Sequence, residues 1–343
     1  MKRIYICSTV YHLLIAIVKQ LLYNIDADLI ICKEDNVDPS TLCKIKSSKI
    51  FKKVITYKDI EYKGYYLRWR EKIFHGIKKA LAFYESTSGL PYEYLKDNDI
   101  YIFNDNSFWG QWLCCIKKGY HLIEDGLDHY IVNPSTSIET ARYIYLNKLL
   151  GTYNGHHGNS VNMLDLEVND KNGVHLKSNI KLIECPRKKL FGCLSDKQKK
   201  IILELFGVPH DIFIKEEIST LLLPQPLAED CLVSHQKKID IYSFLVQKYS
   251  KGTLYIKPHP REIENYANIF PHSKIIPFPK IPLELLDLLP NFKFTYGITA
   301  FSTSLLNLNC IKNKIFMGYE WTINFDNNKS TTEKTLPHLE YTL

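Results

Sequence analysis

Nine cysteines, at positions 7, 32, 43, 114, 115, 185, 193, 231 and 310, form no CxxC pair and no zinc-type spacing. Their number is odd and several lie inside apolar runs. They read as reduced core residues of a cytosolic protein, not as a disulfide framework. No window reaches 18 uninterrupted apolar residues, so no transmembrane helix is expected. Met1-Lys2-Arg3 leads straight into a strand pattern, and His12 and Lys19 interrupt the apolar stretch behind it, so no secretory leader is read. No G-x-G-x-x-G follows that strand, which leaves a dinucleotide site without support. No low-complexity tract interrupts the chain.

What is present is an ordinary globular composition, 45% hydrophobic and 24% charged, on 343 residues. That length favours two domains, because single cores rarely grow beyond about 250–300 residues. The net charge of +7 is moderate, and the Lys-rich pieces Lys44–Lys53 and Arg187–Lys200 read as solvated faces. Nucleic acid is therefore not expected as a partner. A basic surface leaves an anionic substrate or peripheral contact with an anionic membrane open, and a homodimer is open too. The expected location is the cytoplasm, at most at the inner face of the membrane. The 23 tyrosines could stack on sugars or bases.

The pattern in the first half alternates short apolar strands with helices. Arg3–Cys7 is a strand, and Leu13–Leu22 has helical spacing behind a cap at Ser8 or Thr9. Strands follow at Asp28–Cys32, Val54–Tyr57, Asp99–Asn104 and Tyr120–Ile123. Helices are expected at Arg68–Phe83, Trp109–Lys117, Arg142–Leu150 and Asp196–Phe206. Such alternation argues for a parallel, doubly wound sheet. Ligands of such sheets bind beyond the carboxyl ends of the strands, where Thr9, His12 and Asn104 fall. His12 faces either that crevice or the core. Glu124-Asp125-Gly126 ends the last of these strands; carboxylates there can cap a helix, bind a metal or act as a general base. No matching acidic cluster with ligand spacing appears elsewhere, so no metal is expected. Gly151–Gly158, with His156 and His157, reads as a mobile loop. Residues 159–217 are otherwise hard to read.

A second unit begins between His210 and Ser219, with a strand at Thr220–Pro224 running into Gln225-Pro226-Leu227. A helix at Ile239–Lys248 precedes the strand Gly252–Ile256, which opens into Lys257-Pro258-His259-Pro260-Arg261. The prolines fix the backbone on both sides of His259. A lysine, an imidazole and an arginine fork together suit a phosphate. Lys274–Pro277 is another strand, and Pro282 sits at N1 of a helix carrying Glu284. Phe292–Tyr296 is a strand that turns through Gly297-Ile298-Thr299. Ser302-Thr303-Ser304 then starts the helix Leu305–Asn309, and hydroxyls with free N–H groups at a helix start make an anion site. Lys314–Met317 is the last strand, and 320–343 is a polar tail. The expected domains are 1–215, bearing the base, and 216–325, binding the donor, with a tail at 326–343.

A carboxylate in one unit and a His/Lys/Arg group with hydroxyls in the other describe transfer from a nucleotide sugar. The carboxylate takes a proton from the acceptor hydroxyl, and the second unit holds the departing phosphate. The ordered set Ser8–Leu14, Glu124-Asp125-Gly126, Lys257-Pro258-His259-Pro260 and Ser302-Thr303-Ser304 resembles the bacterial GT-B sialyltransferases. It is most similar to glycosyltransferase family 52, the lipooligosaccharide and capsular α-2,3-sialyltransferase group. The resemblance implies an α/β, GT-B-like fold of two Rossmann-like domains facing across a cleft. It implies Asp125 as general base with Glu124 as fallback, and His259 at the CMP phosphate as acid or electrostatic stabiliser. It places Lys257 by the cytosine, Glu284 on the ribose, and Ser302 and Thr303 on the phosphate. Pro260, Arg261, Gly297, Ser304 and Gln225 complete the expected donor-binding set. The implied donor is CMP-sialic acid, the acceptor a terminal galactose of a surface glycan, and no cofactor or metal is implied. Asp230, after the Gln225 turn, competes for the role of base.

Overall fold

The computed structural model of the chain describes residues 2–32, 37–57, 85–86, 88–105, 107–125, 158, 160–172, 174, 180–209, 217–278, 280–290, 292–302 and 304–328. The helices expected at 68–83 and 142–150, Gly126, Thr303, most of the 151–158 loop and the end of the tail lie outside them. The chain divides into two compact units, Met1–Pro209 and His210–Leu343. This places the division at Pro209, six residues before the expected boundary.

The first unit carries seven parallel strands: β1 (Arg3–Cys7), β2 (Ala27–Cys32), β3 (Val54–Tyr57), β4 (Asp99–Ile102), β5 (Tyr120–Ile123), β6 (Met163–Val168) and β7 (Leu182–Glu184). Their order is β3-β2-β1-β4-β5-β6-β7. β1 is paired on both sides, Ile6 facing Ile30 of β2 and Ile102 of β4. The strand order therefore reverses between β1 and β4, the switch point at which open parallel sheets bind their ligands. One face packs on the helix Phe108–Cys115, whose Trp109 and Trp112 are fully buried against Ile4, Ile6, Ile100, Leu122 and Leu166. Burying two indoles anchors this face strongly, since aromatic side chains remove the most area from water. Gly110 lets that helix touch the strand end. A Cβ there would lie 2.0 Å from the Asp105 carbonyl oxygen.

The second unit repeats the plan with β8 (Ser219–Leu223), β9 (Thr253–Ile256), β10 (Lys274–Ile275), β11 (Phe294–Thr299) and β12 (Ile311–Phe316). Their order is β10-β9-β8-β11-β12, again parallel throughout. The switch point now falls between β8 and β11. The core is built from Leu222, Ile256 and Ile298 of the sheet and Ile241, Tyr242 and Leu245 of the helix His235–Tyr249.

Three expectations are corrected. Gly297-Ile298-Thr299 is not a turn but the end of β11. Gly297 is needed for packing, because a Cβ would meet Leu305 at 2.7 Å and Ile311 at 2.8 Å. The stretch from 320 is not all polar tail. It forms the helices Tyr319–Ile323 and Phe325–Asn328, and Phe325 is fully buried beside Phe244 and Trp321. Two aromatics four residues apart give this short segment one apolar face, and the second unit runs on beyond residue 325. Cys7, Cys114 and Cys310 are buried free thiols, whereas Cys43, Cys193 and Cys231 lie at the surface.

Candidate functional site

At the switch point of the first unit, the chain leaves β1 at Cys7 and enters the helix Val10–Tyr23 within three residues. The Thr9 hydroxyl accepts the His12 N–H at 3.2 Å and caps that helix, so it serves the backbone. The cap turns His12 inward. Its ring is 1% exposed, stacks on Phe103 at 4.4 Å with 6° between planes, and accepts the Ser8 N–H on Nδ1 at 3.1 Å. With Nδ1 an acceptor, the ring proton resides on Nε2. Nε2 lies 2.9 Å from Oδ1 of Asp125 at the end of β5, close but out of line for a hydrogen bond. His12 thus belongs to both alternatives left open by the sequence: it is buried, and it meets the candidate base.

Glu124 differs sharply from its neighbour. It is buried, and its Oε2 accepts the Asn169 N–H at 2.5 Å, tying β5 to the end of β6. The Asn169 side chain in turn accepts the Arg187 N–H at 2.8 Å. Arg187, which the sequence did not single out, is buried behind β7. It donates through Nη1 to Glu167 at 2.8 Å and through Nε to the Tyr11 hydroxyl at 3.2 Å. Lys19, also buried, pairs with the other Glu167 oxygen. Burial works against charge on Arg187, but Tyr11, Glu167 and Glu124 more than offset it and hold the guanidinium charged. Burial would raise Glu167, yet Lys19 and Arg187 keep it below the usual carboxylate range. Glu124 is therefore one member of a fixed buried network. Asp125, 30% exposed at its side chain, is the more accessible carboxylate of the two. Asn104 ends β4 by accepting the Ser107 hydroxyl at 2.6 Å on its carbonyl, and buried Asp105 accepts Tyr120 and the Gly158 N–H.

In the second unit, β9 delivers Lys257 and His259 to the sheet's carboxyl edge. Lys257 is buried rather than solvated, and burial lowers its ammonium to about 8, only partly opposed by Glu284. Glu284 is buried on the 3-10 helix Leu283–Leu288, where Pro282 is the N-cap residue instead of N1. His259 is lowered to about 4 by burial and by the charges of Arg261 and Lys257. Its Nδ1 accepts the Arg261 N–H at 3.2 Å, so the neutral ring offers Nε2–H. Without ligand it is a donor, not an imidazolium. The Arg261 fork is engaged by Asp230, with Nη2–Oδ2 at 3.1 Å, so both the expected phosphate cation and the competing base are tied to each other.

Behind these loops sits fully buried Lys238. Its Nζ donates to Glu229 at 2.8 Å and Glu262 at 2.8 Å and lies 3.4 Å from Glu264. Glu229 also accepts the Ile263 N–H at 3.2 Å. One lysine thereby ties the loop after β8 to the loop that carries His259. Burial pushes Glu262 up to about 7 despite that lysine. Across the switch point, Gln225 Oε1 accepts the Phe301 N–H at 2.9 Å, so its side chain braces the Ser302 loop. The Ser302 N–H donates to Thr299 Oγ1 at 3.2 Å. Ser304 opens a helix of one turn, Ser304–Asn307, which supplies little dipole, so anion binding there depends on hydroxyls and local N–H groups. Pro260 lies at the exposed turn beside His259. Gly297 is buried, packed against Leu305 and Ile311. Among the described residues, no group of three or more His, Cys, Asp or Glu is placed to hold a metal ion, and no helix is long and apolar enough to cross a membrane.

The chain is thus an α/β protein of two Rossmann-like units, each an open parallel sheet with one switch point. The model of glycosyltransferase family 52 matches residues 75–321, well over half of the sequence, and the chain belongs to that family. An uncharacterized protein of Haemophilus influenzae is 31% identical over 191 residues, which is 55% of this chain and 58% of that protein. The chain thus spans little more than half the length of this relative. The spinosyn rhamnosyltransferase SpnG, complexed with thymidine diphosphate, is similar over 97% of this chain and 85% of its own, with 9% identity and a TM-score of 0.46. Its complex with spinosyn aglycone gives the same coverage and identity with a TM-score of 0.42.

Proposed function

We propose that this protein is an inverting glycosyltransferase that moves sialic acid from CMP-sialic acid to a terminal galactose of a bacterial surface glycan, through an α-2,3 linkage. The observation that carries the reading is the strand end of β9 in a family-52 chain. There, a buried ammonium and a neutral imidazole stand together, each disfavoured as a cation by its surroundings. An arriving phosphate relieves that penalty, so the site is built to receive an anion. Lys257 and Glu284 flank the nucleoside, and His259 with Ser302, Thr303 and Ser304 holds the phosphate. Asp125 takes the proton of the acceptor hydroxyl as its oxygen bonds to the anomeric carbon. The bond from that carbon to the phosphate oxygen breaks, and its electron pair leaves with CMP. His259 donates to the leaving phosphate.

Transfer from CMP-sialic acid to lactose is the test, comparing wild type with Asp125→Ala and His259→Ala. Transfer lost in both, with CMP binding kept in Asp125→Ala, supports the roles. Thermal stabilisation by UDP or GDP but not CMP would move the protein to another donor. Transfer that survives Asp125→Ala would shift the base to Asp230.

A further inference from the structure

The buried contact between His12 and Asp125 has a directionality that the transfer chemistry does not require. A histidine beside a catalytic carboxylate ordinarily has two tautomers to choose from. Here the choice is removed by the backbone, because the Ser8 N–H occupies Nδ1 at 3.1 Å. The Thr9 cap and the face-to-face stack on Phe103 hold the ring in place. Only Nε2–H remains, 2.9 Å from Asp125 Oδ1 though out of line for a hydrogen bond. We propose that His12 is a positioning residue. Its ring keeps the Nε2–H dipole against one oxygen of Asp125, a close charge–dipole contact that favours the ionised carboxylate and biases which side of it meets the acceptor hydroxyl.

This rests on the glycosyl-transfer reading, and it assigns His12 a role other than substrate contact. The ring is too buried to touch a sugar, whereas Asp125 is partly exposed. Other charged groups at this edge are already committed. Glu124 is held by Asn169, Glu167 by Lys19 and Arg187, and Asp105 by Tyr120 and Gly158. An N–H dipole held this close to the charged form of a carboxyl group favours that form. Removing it therefore moves the acid limb of the rate profile to higher pH.

Two substitutions separate positioning from mere support. An asparagine amide reaches where Nδ1 sits and can still accept from Ser8, but it cannot reach Asp125. A glutamine amide reaches where Nε2 sits and can still donate to Asp125, but it abandons Ser8. If His12 positions the base, His12→Asn lowers kcat roughly 10–100-fold with the acid limb displaced upward and KM for the donor unchanged. His12→Gln then recovers most of the rate. If the ring only props the turn, the order reverses, with His12→Asn the more active, and the proposal falls. A readout independent of transfer is the nitrogen NMR spectrum of His12. The expected spectrum shows the Nε2–H tautomer, with its proton signal moved by Asp125→Asn. An Nδ1–H tautomer, or indifference to Asp125→Asn, overturns the pairing whether or not the protein transfers sugar. A confirmed pairing in a protein inert toward every nucleotide sugar would instead sink the transferase reading and leave the dyad standing.

Discussion

The two units share a strand order but are prepared in opposite electrostatic senses. At the edge of the first, the buried charges Arg187, Lys19 and Glu124 have partners already in place among the described residues, Arg187 and Lys19 on Glu167 and Glu124 on Asn169, and half-buried Asp125 lies 2.9 Å from His12. At the edge of the second, Lys257 and His259 are held where a positive charge is disfavoured, with Glu284 the main compensation for the lysine. On the proposed reading the first edge carries the base, which must keep one fixed geometry through turnover. On the same reading the second edge receives a phosphate, whose negative charge stabilises positive charge on both groups there.

The sharpest way to break the comparison is Asp125→Asn. It should lower kcat about 10²–10⁴-fold while CMP affinity, read by titration calorimetry, stays within about twofold. Next in size are Arg187→Met and Lys238→Met. The first leaves Glu167 with Lys19 alone, the second removes the shared cation of Glu229 and Glu262, and chemical denaturation should show losses of up to about 3–5 kcal/mol. Equal losses would show that both edges rest on buried ion pairs, whereas a small loss at Lys238 would mark the second edge as the softer one.

Lys257 gives a gentler test. Its ammonium deprotonates near pH 8 in the free protein, so nucleotide affinity should weaken above pH 8, at most about tenfold per unit for one proton. Lys257→Gln should flatten that slope. His259 sets the smallest effect. Its folded pKa of about 4 lies below the ordinary 6.5, so between those values the unfolded chain binds more protons and stability falls as pH drops. A His259→Asn variant should lose that part of the acid sensitivity in thermal melts, and an unchanged acid profile would remove the second half of the comparison.

Much of this was legible from residues alone. β1, β3 and β5 fall where their apolar runs place them, and His259, Lys257 and Asp125 all sit at strand carboxyl ends as expected. The failures have physical reasons. β6 reads Met-Leu-Asp-Leu-Glu-Val, and its two acids made it look unlike a buried strand. Asp165 is answered by His121 at 2.8 Å, and Glu167 by Lys19, 148 residues earlier in the chain. Partners so distant leave no local pattern. Gly297 was misread because a glycine reads as a turn by conformational freedom, whereas here it was chosen for lack of volume. Arg187 lay in a basic run that looked solvated, and only the fold reveals that it is the one cation of that run turned inward.

Gln225 bears on the tempo of the protein. Its side-chain oxygen holds the Phe301 N–H, and its own N–H rests on the Tyr242 hydroxyl at 2.7 Å. The loops after β8 and β11 are thus joined to each other through one side chain. On the proposed reading, nucleotide capture should then be a single fast step, and donors should be told apart by how long each one stays.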